Sequence, residues 1–284
     1  MISKLPVSLG MLSYKGHKTV DATLKSYAQV GFLDLFQEAK VFFQNYTEHD
    51  KRIAEQNGIE HVGRSDNVGI QYGMRWVVEN LTSDYILYVD MDNPLIVSVE
   101  KARAELEKGL ALLESFQVQV LRYRSRFYPG EQFSDVKKYT TVYTPEEIDP
   151  RFSPTDEVFI SDCSATSRFF KRTLRPFYAR KMIGRSIYVE KNPELRFPGY
   201  IQKTETDVYI VDSAVINWTS QGILTTKKFF LDILDWGDAH LPSKKRFNHG
   251  FPSLEPQLNG TWWREQHFKI GVTEGIFTHQ RIDR

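Results

Sequence analysis

Between residues 6 and 123, short apolar runs alternate with stretches of helical periodicity, and this alternation constrains the fold more than any other feature of the chain. The runs "PVSLGMLSY" (6–14), "AKVFFQN" (39–45), "IEHVG" (59–63), "YILYV" (85–89) and "FQVQVLRY" (116–123) read as strands. Between them, Thr19 is placed to cap a helix carrying Val20, Leu24 and Tyr27. Asp66 or Asn67 opens a second helix, in which Ile70, Met74, Val77, Val78 and Leu81 share one face. Ser98 caps a third, with Val99, Ala102, Leu106, Leu110 and Leu113 inward. Strands separated by helices of this length imply an α/β fold: a mainly parallel central sheet with helices on both faces.

The run "YILYVDMDNPLIV" ends in two acids one residue apart, Asp90 and Asp92, at the carboxyl end of a predicted central strand. Open parallel sheets bind ligands beyond that end, where loops converge over a rigid base. Two carboxylates at this spacing are costly together unless a cation offsets them, and a hard divalent ion bridging to phosphate would do so. The alternative is that the pair simply caps and ends a strand. An EF-hand loop starting at Asp90 is excluded, because its sixth and twelfth positions hold Leu95 and Lys101. No glycine-rich dinucleotide fingerprint follows the first strand, which continues "SYKGHKT", and no Walker A sequence occurs.

Bulk composition narrows the partners. With 37 basic and 36 acidic residues the formal charge is +1, so no global field draws the chain to nucleic acid or an acidic membrane. The single cysteine, Cys163, rules out an intrachain disulfide. No run reaches the roughly 18 apolar residues of a membrane span, and the first residues lead directly into a strand, so a cytoplasmic location is expected. Residues 125–156, with Pro129, Pro145, Pro150 and Pro154, read as a long surface excursion. Order then resumes with "EVFIS", a basic helix from about Ser167 to Met182, the alternating stretch "DVYIVDSAVINW" (207–218) and "HFKIGVTEGIFTH".

Three segments together carry a family resemblance: "SLGMLSYKGHKTVDATLKSY", "RSDNVGIQYGMRWVVENLTSDYILYVDMDN" and "GVTEGIFTHQRID". In their order the chain resembles glycosyltransferases of the GT-A, Rossmann-like type, and more loosely the inverting, nucleotide-sugar-dependent enzymes of family 2. The resemblance covers about residues 5–124 and returns in the last thirty. It implies a nucleotide-sugar-binding half over 1–124 and an acceptor-binding, catalytic half over 125–284 of one globular unit.

It further implies Mn2+ or Mg2+ as cofactor, held by Asp92 directly, by Asp90, which faces the ion or the ribose, and by His279. The donor would be a UDP- or GDP-linked sugar, and the acceptor a hydroxyl of a glycan, lipid-linked glycan or glycoprotein. Ser13 and Tyr14 fall at the nucleoside loop, with Tyr14 placed to stack on a base or to pack on the next helix. Where the family has an aspartate after the second strand, this chain reads "FFQNYTEHD", leaving Asn45, Glu48 or Asp50 as substitutes. Arg64, Asp66 and Asn67 precede a helix N-terminus suited to phosphate or ribose, and Asn67 is also a helix cap.

For the catalytic base the nearest match is Glu255 in "GFPSLEPQLNGTWWREQ", with Asp238 and Asp235 of "DWGD" and Asp162 as rivals. Trp262 and Trp263 offer faces for a sugar ring, and Arg264 and Arg281 offer charge to a diphosphate. Three alternatives stay open: a retaining enzyme of the same type, a non-catalytic carbohydrate binder using its tryptophans, and a sugar-nucleotidyltransferase, against which the absence of a glycine-rich first loop speaks.

Overall fold

The computed structural model describes residues 3–131, 143–144, 146–152, 164, 166, 169–170, 176–241 and 250–283. Strands β1 (Leu5–Tyr14), β2 (Phe36–Gln44), β3 (Glu60–Arg64), β4 (Tyr85–Asp90) and β5 (Val120–Arg124) sit close to the runs read from the sequence. The helices between them are α1 (His17–Ala28), α2 (Glu48–Gln56), α3 (Gly69–Glu79) and α4 (Val99–Glu114). Ser98 accepts from the Lys101 N–H, as a cap should, and Thr47 closes a capping box with Asp50 on α2.

Two caps differ from expectation. Helix α1 starts at His17, behind Gly16 in the left-handed region, so Thr19 lies within its first turn. Helix α3 starts at Gly69 behind Val68, with no side-chain cap, so neither Asp66 nor Asn67 holds the cap position. Strand β5 also begins later than the run suggests, because Phe116 takes a positive φ and stands 88% exposed.

The second half supplies α5 (Pro176–Val189), α6 (Pro193–Arg196), β6 (Ile201–Lys203), β7 (Tyr209–Asp212), β8 (Ile223–Thr226), α7 (Lys227–Ala239), α8 (Leu254–Leu258), α9 (Thr261–Glu265) and β9 (Lys269–Phe277). The alternation of 207–218 is a strand only as far as Asp212, after which the chain turns. The basic helix is described as α5 from Pro176 onward. "EVFIS", with Asp162 and Cys163, lies outside the described residues.

Among the described residues nine strands form one sheet in the order β3-β2-β1-β4-β8-β5-β9-β7-β6. Strands β1 to β4 pair in parallel, β5 pairs in parallel with β9, and β7 and β8 run against their neighbours. Because β8 inserts between β4 and β5, both halves of the chain contribute to a single frame.

Each face carries its own core, and the alternation within a strand sorts the residues. Ile86 and Tyr88 join Met74, Val77 and Leu81 on one side; Leu87 and Val89 join Val20, Leu24 and Leu106 on the other. Full burial of such aliphatic side chains stabilises by about 1.5–3 kcal/mol each. Burial on both faces is why the strands read as continuous apolar runs. Gly10 lets α3 approach β1 closely: a Cβ there would stand 2.4 Å from Val77 Cγ1. This packing fixes the carboxyl ends of β1 and β4 side by side, with Leu12 paired to Asp90.

Candidate active site

Strand β4 stops in a turn built by Asn93. The Asp90 N–H donates to Asn93 Oδ1 at 3.0 Å, the Asn93 N–H returns to Asp90 O at 3.2 Å, and Tyr27 Oη donates to Asn93 O at 2.7 Å. The turn holds Asp90 and Asp92 at the mouth of a cavity of about 900 Å3. From four other regions of the chain come Tyr14 at the end of β1 with Lys15 after it, Asn67 before α3, Glu255 on α8, and His279 with Arg281 after β9. Asp92 Oδ2 and His279 Nε2 are 3.3 Å apart, and both residues are buried.

Burial dominates the electrostatics of this cluster. Burial, then the Asp92 charge, pushes the Asp90 carboxyl well above its usual range. The Tyr88 hydroxyl donates to Asp90 Oδ1 at 3.0 Å. Burial also raises the Glu255 carboxyl, while the polar groups of Thr219 and Ser220 and the charges of Arg122 and Arg124 pull it back. Desolvation of Arg124 holds its guanidinium down to about 10; it donates to Pro129 O, Glu131 O and Gln221.

The fit of this site to a divalent cation rests on its orphaned atoms. Asp92 Oδ1 and His279 Nδ1 are buried with no hydrogen-bond partner among the described residues. An unpaired buried carboxylate oxygen beside a second acid suits a hard cation. No three His, Cys, Asp or Glu side chains among the described residues gather closely enough to enclose one. That combination matches an ion that takes one or two carboxylates from the protein and its remaining ligands from substrate phosphate and water. Asp92 would hold it, with His279 and Asp90 beside it.

Several residues singled out in the sequence lie elsewhere. Ser13 is buried, with its hydroxyl toward Met91 Sδ at 3.5 Å, because its side chain points into the sheet packing. Asn45 takes a positive φ in a turn, and its N–H donates to Asp66 O. Arg64 and Asp66 satisfy each other through two hydrogen bonds of 2.7 and 3.1 Å, the guanidinium lying over Trp76. Asp50 is occupied by its capping box and by His17 at 3.2 Å.

Trp263 is 1% exposed and donates to Ile216 O, while Trp262 stacks on Trp236 at 4.1 Å. Trp263 therefore belongs to the core, and Trp262, partly buried, packs against it. Arg264, half-buried on α9, is not among the cavity residues. Asp238 accepts from Gln71 and, at 2.8 Å, from Arg75, which also pairs with Asp235 at 2.7 Å. Salt-bridged in this way, Asp238 is no candidate base.

Asn67 serves two ends at once, accepting from the Gly69 N–H at 2.9 Å while lining the cavity. Sequence reasoning missed Gln44, whose Oε1 accepts from the Val68 N–H at 2.8 Å at the cavity wall; its position at the end of β2 was the available signal. It also missed Ser220, which lines the cavity together with Asp90 and Glu255, and no local pattern announces this.

No protein-family model matches the chain, and no curated protein matches it. Among solved structures it is similar to S. aureus TarS 1-349 in complex with UDP-GlcNAc, at 13% identity and a TM-score of 0.48 over 98% of this chain and 59% of that one. It is also similar to glucosyl-3-phosphoglycerate synthase from Mycobacterium tuberculosis in complex with Mn2+, UDP and glucosyl-3-phosphoglycerate, at 12% identity and 0.45 over 98% and 72%. A third is the mannosyltransferase PcManGT from Pyrobaculum calidifontis in complex with GDP-Man and Mn2+, at 16% identity and 0.36 over 50% and 41%. The chain thus spans about three fifths of the TarS fragment. Among the described residues no helix is long and apolar enough to cross a membrane.

Proposed function

We propose that the protein is a metal-dependent glycosyltransferase that moves a sugar from a nucleoside-diphosphate sugar to an acceptor hydroxyl, with inversion at the anomeric carbon. The observation that carries this reading is the convergence of Asp90, Asp92, His279, Arg281 and Glu255, drawn from three separate regions of the chain, on one cavity at the carboxyl ends of the strands. Tyr14 and Asn67 form the nucleoside end of that cavity, and Gln44 supports it from the wall.

A divalent ion, if bound, would be held by Asp92 with Asp90 and His279 beside it, and would supply positive charge to the leaving diphosphate. Arg281, exposed at the cavity rim, contributes a permanent charge to the same group. The Glu255 carboxylate takes the proton of the acceptor hydroxyl as the oxygen bonds to the anomeric carbon. The bond from that carbon to the phosphate oxygen breaks on the opposite face, and nucleoside diphosphate leaves. Burial makes Glu255 a stronger base than an ordinary carboxylate.

Glu255→Gln tests the assignment. Its kcat is expected to fall by about 10^2 to 10^4, with nucleotide affinity unchanged. Because the carboxyl is raised, the acidic limb of the wild-type rate profile is expected above the ordinary carboxylate range. An enzyme that keeps full turnover after the substitution would place the base elsewhere.

A further inference from the structure

Helix α1 opens directly behind the nucleoside loop, and no side chain near it in sequence caps its free N–H groups. The cap comes from the far end of the chain: Asp283 Oδ2 accepts from the Lys18 N–H at 2.8 Å and the Thr19 N–H at 3.2 Å. The contact is reciprocal. Thr19 Oγ1, 1% exposed, accepts from the N–H groups of Ile282 and Asp283 at 2.9 and 3.1 Å.

Between the end of β9 and this junction, the segment 278–283 forms a strap that lines the cavity with His279 and Arg281. Its backbone is tied at Thr278 to Pro94 O, at Gln280 to Asp92 O, and through His279 O to the Glu131 N–H. Gly130 fits tightly beneath it, since a Cβ there would stand 2.1 Å from His279 O. With these ties made, His279 and Arg281, two residues apart, both line the cavity.

We infer that Asp283 is a positioning residue: by capping α1 from across the fold it sets the strap so that His279 and Arg281 aim at one group, the diphosphate of a nucleotide ligand. The inference deepens the glycosyltransferase reading and rests on it for the identity of that ligand. A carboxylate at a helix N-terminus is held both by its hydrogen bonds and by the helix dipole. The latch therefore couples the nucleoside loop to the diphosphate end of the site, and the two ends of the ligand are presented by one joined element. Arg281 is exposed, so without the latch nothing described beyond Gln280 holds it at the rim.

The test compares wild type with Asp283→Ala, Asp283→Asn and Thr19→Val, using UDP, GDP and the corresponding nucleosides with Mn2+ in calorimetric titration, together with amide hydrogen exchange. Asp283→Ala is expected to weaken binding of the accepted nucleoside diphosphate at least about tenfold. Nucleoside binding should stay within twofold, and exchange at Gln280, Ile282 and Asp283 should accelerate. Asp283→Asn, which keeps the acceptor oxygen, is expected to recover most of the affinity. Thr19→Val is expected to reproduce part of the loss and serves if the alanine variant fails to fold.

Unchanged diphosphate affinity and unchanged exchange in a folded Asp283→Ala protein would overturn the latch. So would an equal loss for nucleoside and nucleoside diphosphate, because a general structural defect moves both. If wild type binds neither diphosphate, the donor-site reading falls, while the exchange rates still decide whether Asp283 orders the strap.

Discussion

Two short acidic stretches, Asp90-Met91-Asp92 and Asp235-Trp236-Gly237-Asp238, look alike on paper and meet opposite fates. Asp235 and Asp238 sit on the exposed side of α7, where Arg75 reaches both at 2.7 and 2.8 Å. Their charge is spent within the protein. Asp90 and Asp92 sit at a strand end inside a cavity, with a buried carboxylate oxygen left unpartnered and with Glu255 adding further negative charge. An acidic pair becomes a candidate site when the fold withholds its counter-charge, and a surface patch when the fold supplies one.

The comparison is broken most sharply at Asp92. Asp92→Ala is expected to lower kcat/KM roughly a thousandfold, since the several kcal/mol of charge stabilisation a divalent ion gives to a leaving diphosphate is lost with its ligand. Its thermal response to Mn2+ should vanish as well. Chelation of the metal from wild type is expected to reproduce the loss, and readdition of Mn2+ to reverse it; activity that survives chelation would refute the assignment.

A smaller effect of opposite sign is expected on stability. The folded state raises the Asp90 carboxyl, chiefly by burial, so it binds that proton more tightly than the unfolded chain does. This group's contribution to the stability of metal-free protein is then greatest at low pH and falls as pH rises from the ordinary aspartate range towards the raised value. Asp90→Asn removes this contribution to the slope. At pH 7 the metal-free variant should be more stable than wild type, while losing activity. Denaturant titrations across pH measure this, and a variant less stable than wild type would contradict it.

Asp238→Asn gives the smallest change. A partly exposed ion pair is worth at most about 1 kcal/mol, so a modest fall in melting temperature is expected with kcat unchanged. A large loss of turnover there would return Asp238 to the list of bases and undo the contrast.

The first 124 residues were legible because their information is local. Five strands and three helices followed from the alternation of apolar residues, and the acidic turn from its place at a strand end. The second half was less so. Strand β8 depends on insertion between β4 and β5, and the three-residue β6 on pairing with β7, rather than on their own periodicity, and "DVYIVDSAVINW" alternates through a turn that ends its strand. The glutamate at 255 and the histidine at 279 were reached through a family pattern, not through any local property of their surroundings.

Misplacements have the same origin. Trp262 and Trp263 could cover a sugar or fill a core, and the choice was made by Trp236 and Ile216, residues no short window includes. Arg64 and Asp66 had the right chemistry for a phosphate or a ribose but stand close enough to consume each other. Ser220, which lines the cavity with Asp90 and Glu255, was invisible because its place there is set by the fold and not by its neighbours in sequence.

By itself, then, the sequence determined an α/β sheet with two acids at a central strand end, since strand and helix periods and turn residues act over a few positions at a time. Which charges stay unpaired, which aromatic rings are buried and which distant aspartate closes the first helix were decided by the tertiary structure alone. Those properties depend on the distance between groups far apart in the chain, and it is that distance, through desolvation and pairing, that turns a carboxylate into a ligand, a base or a salt bridge.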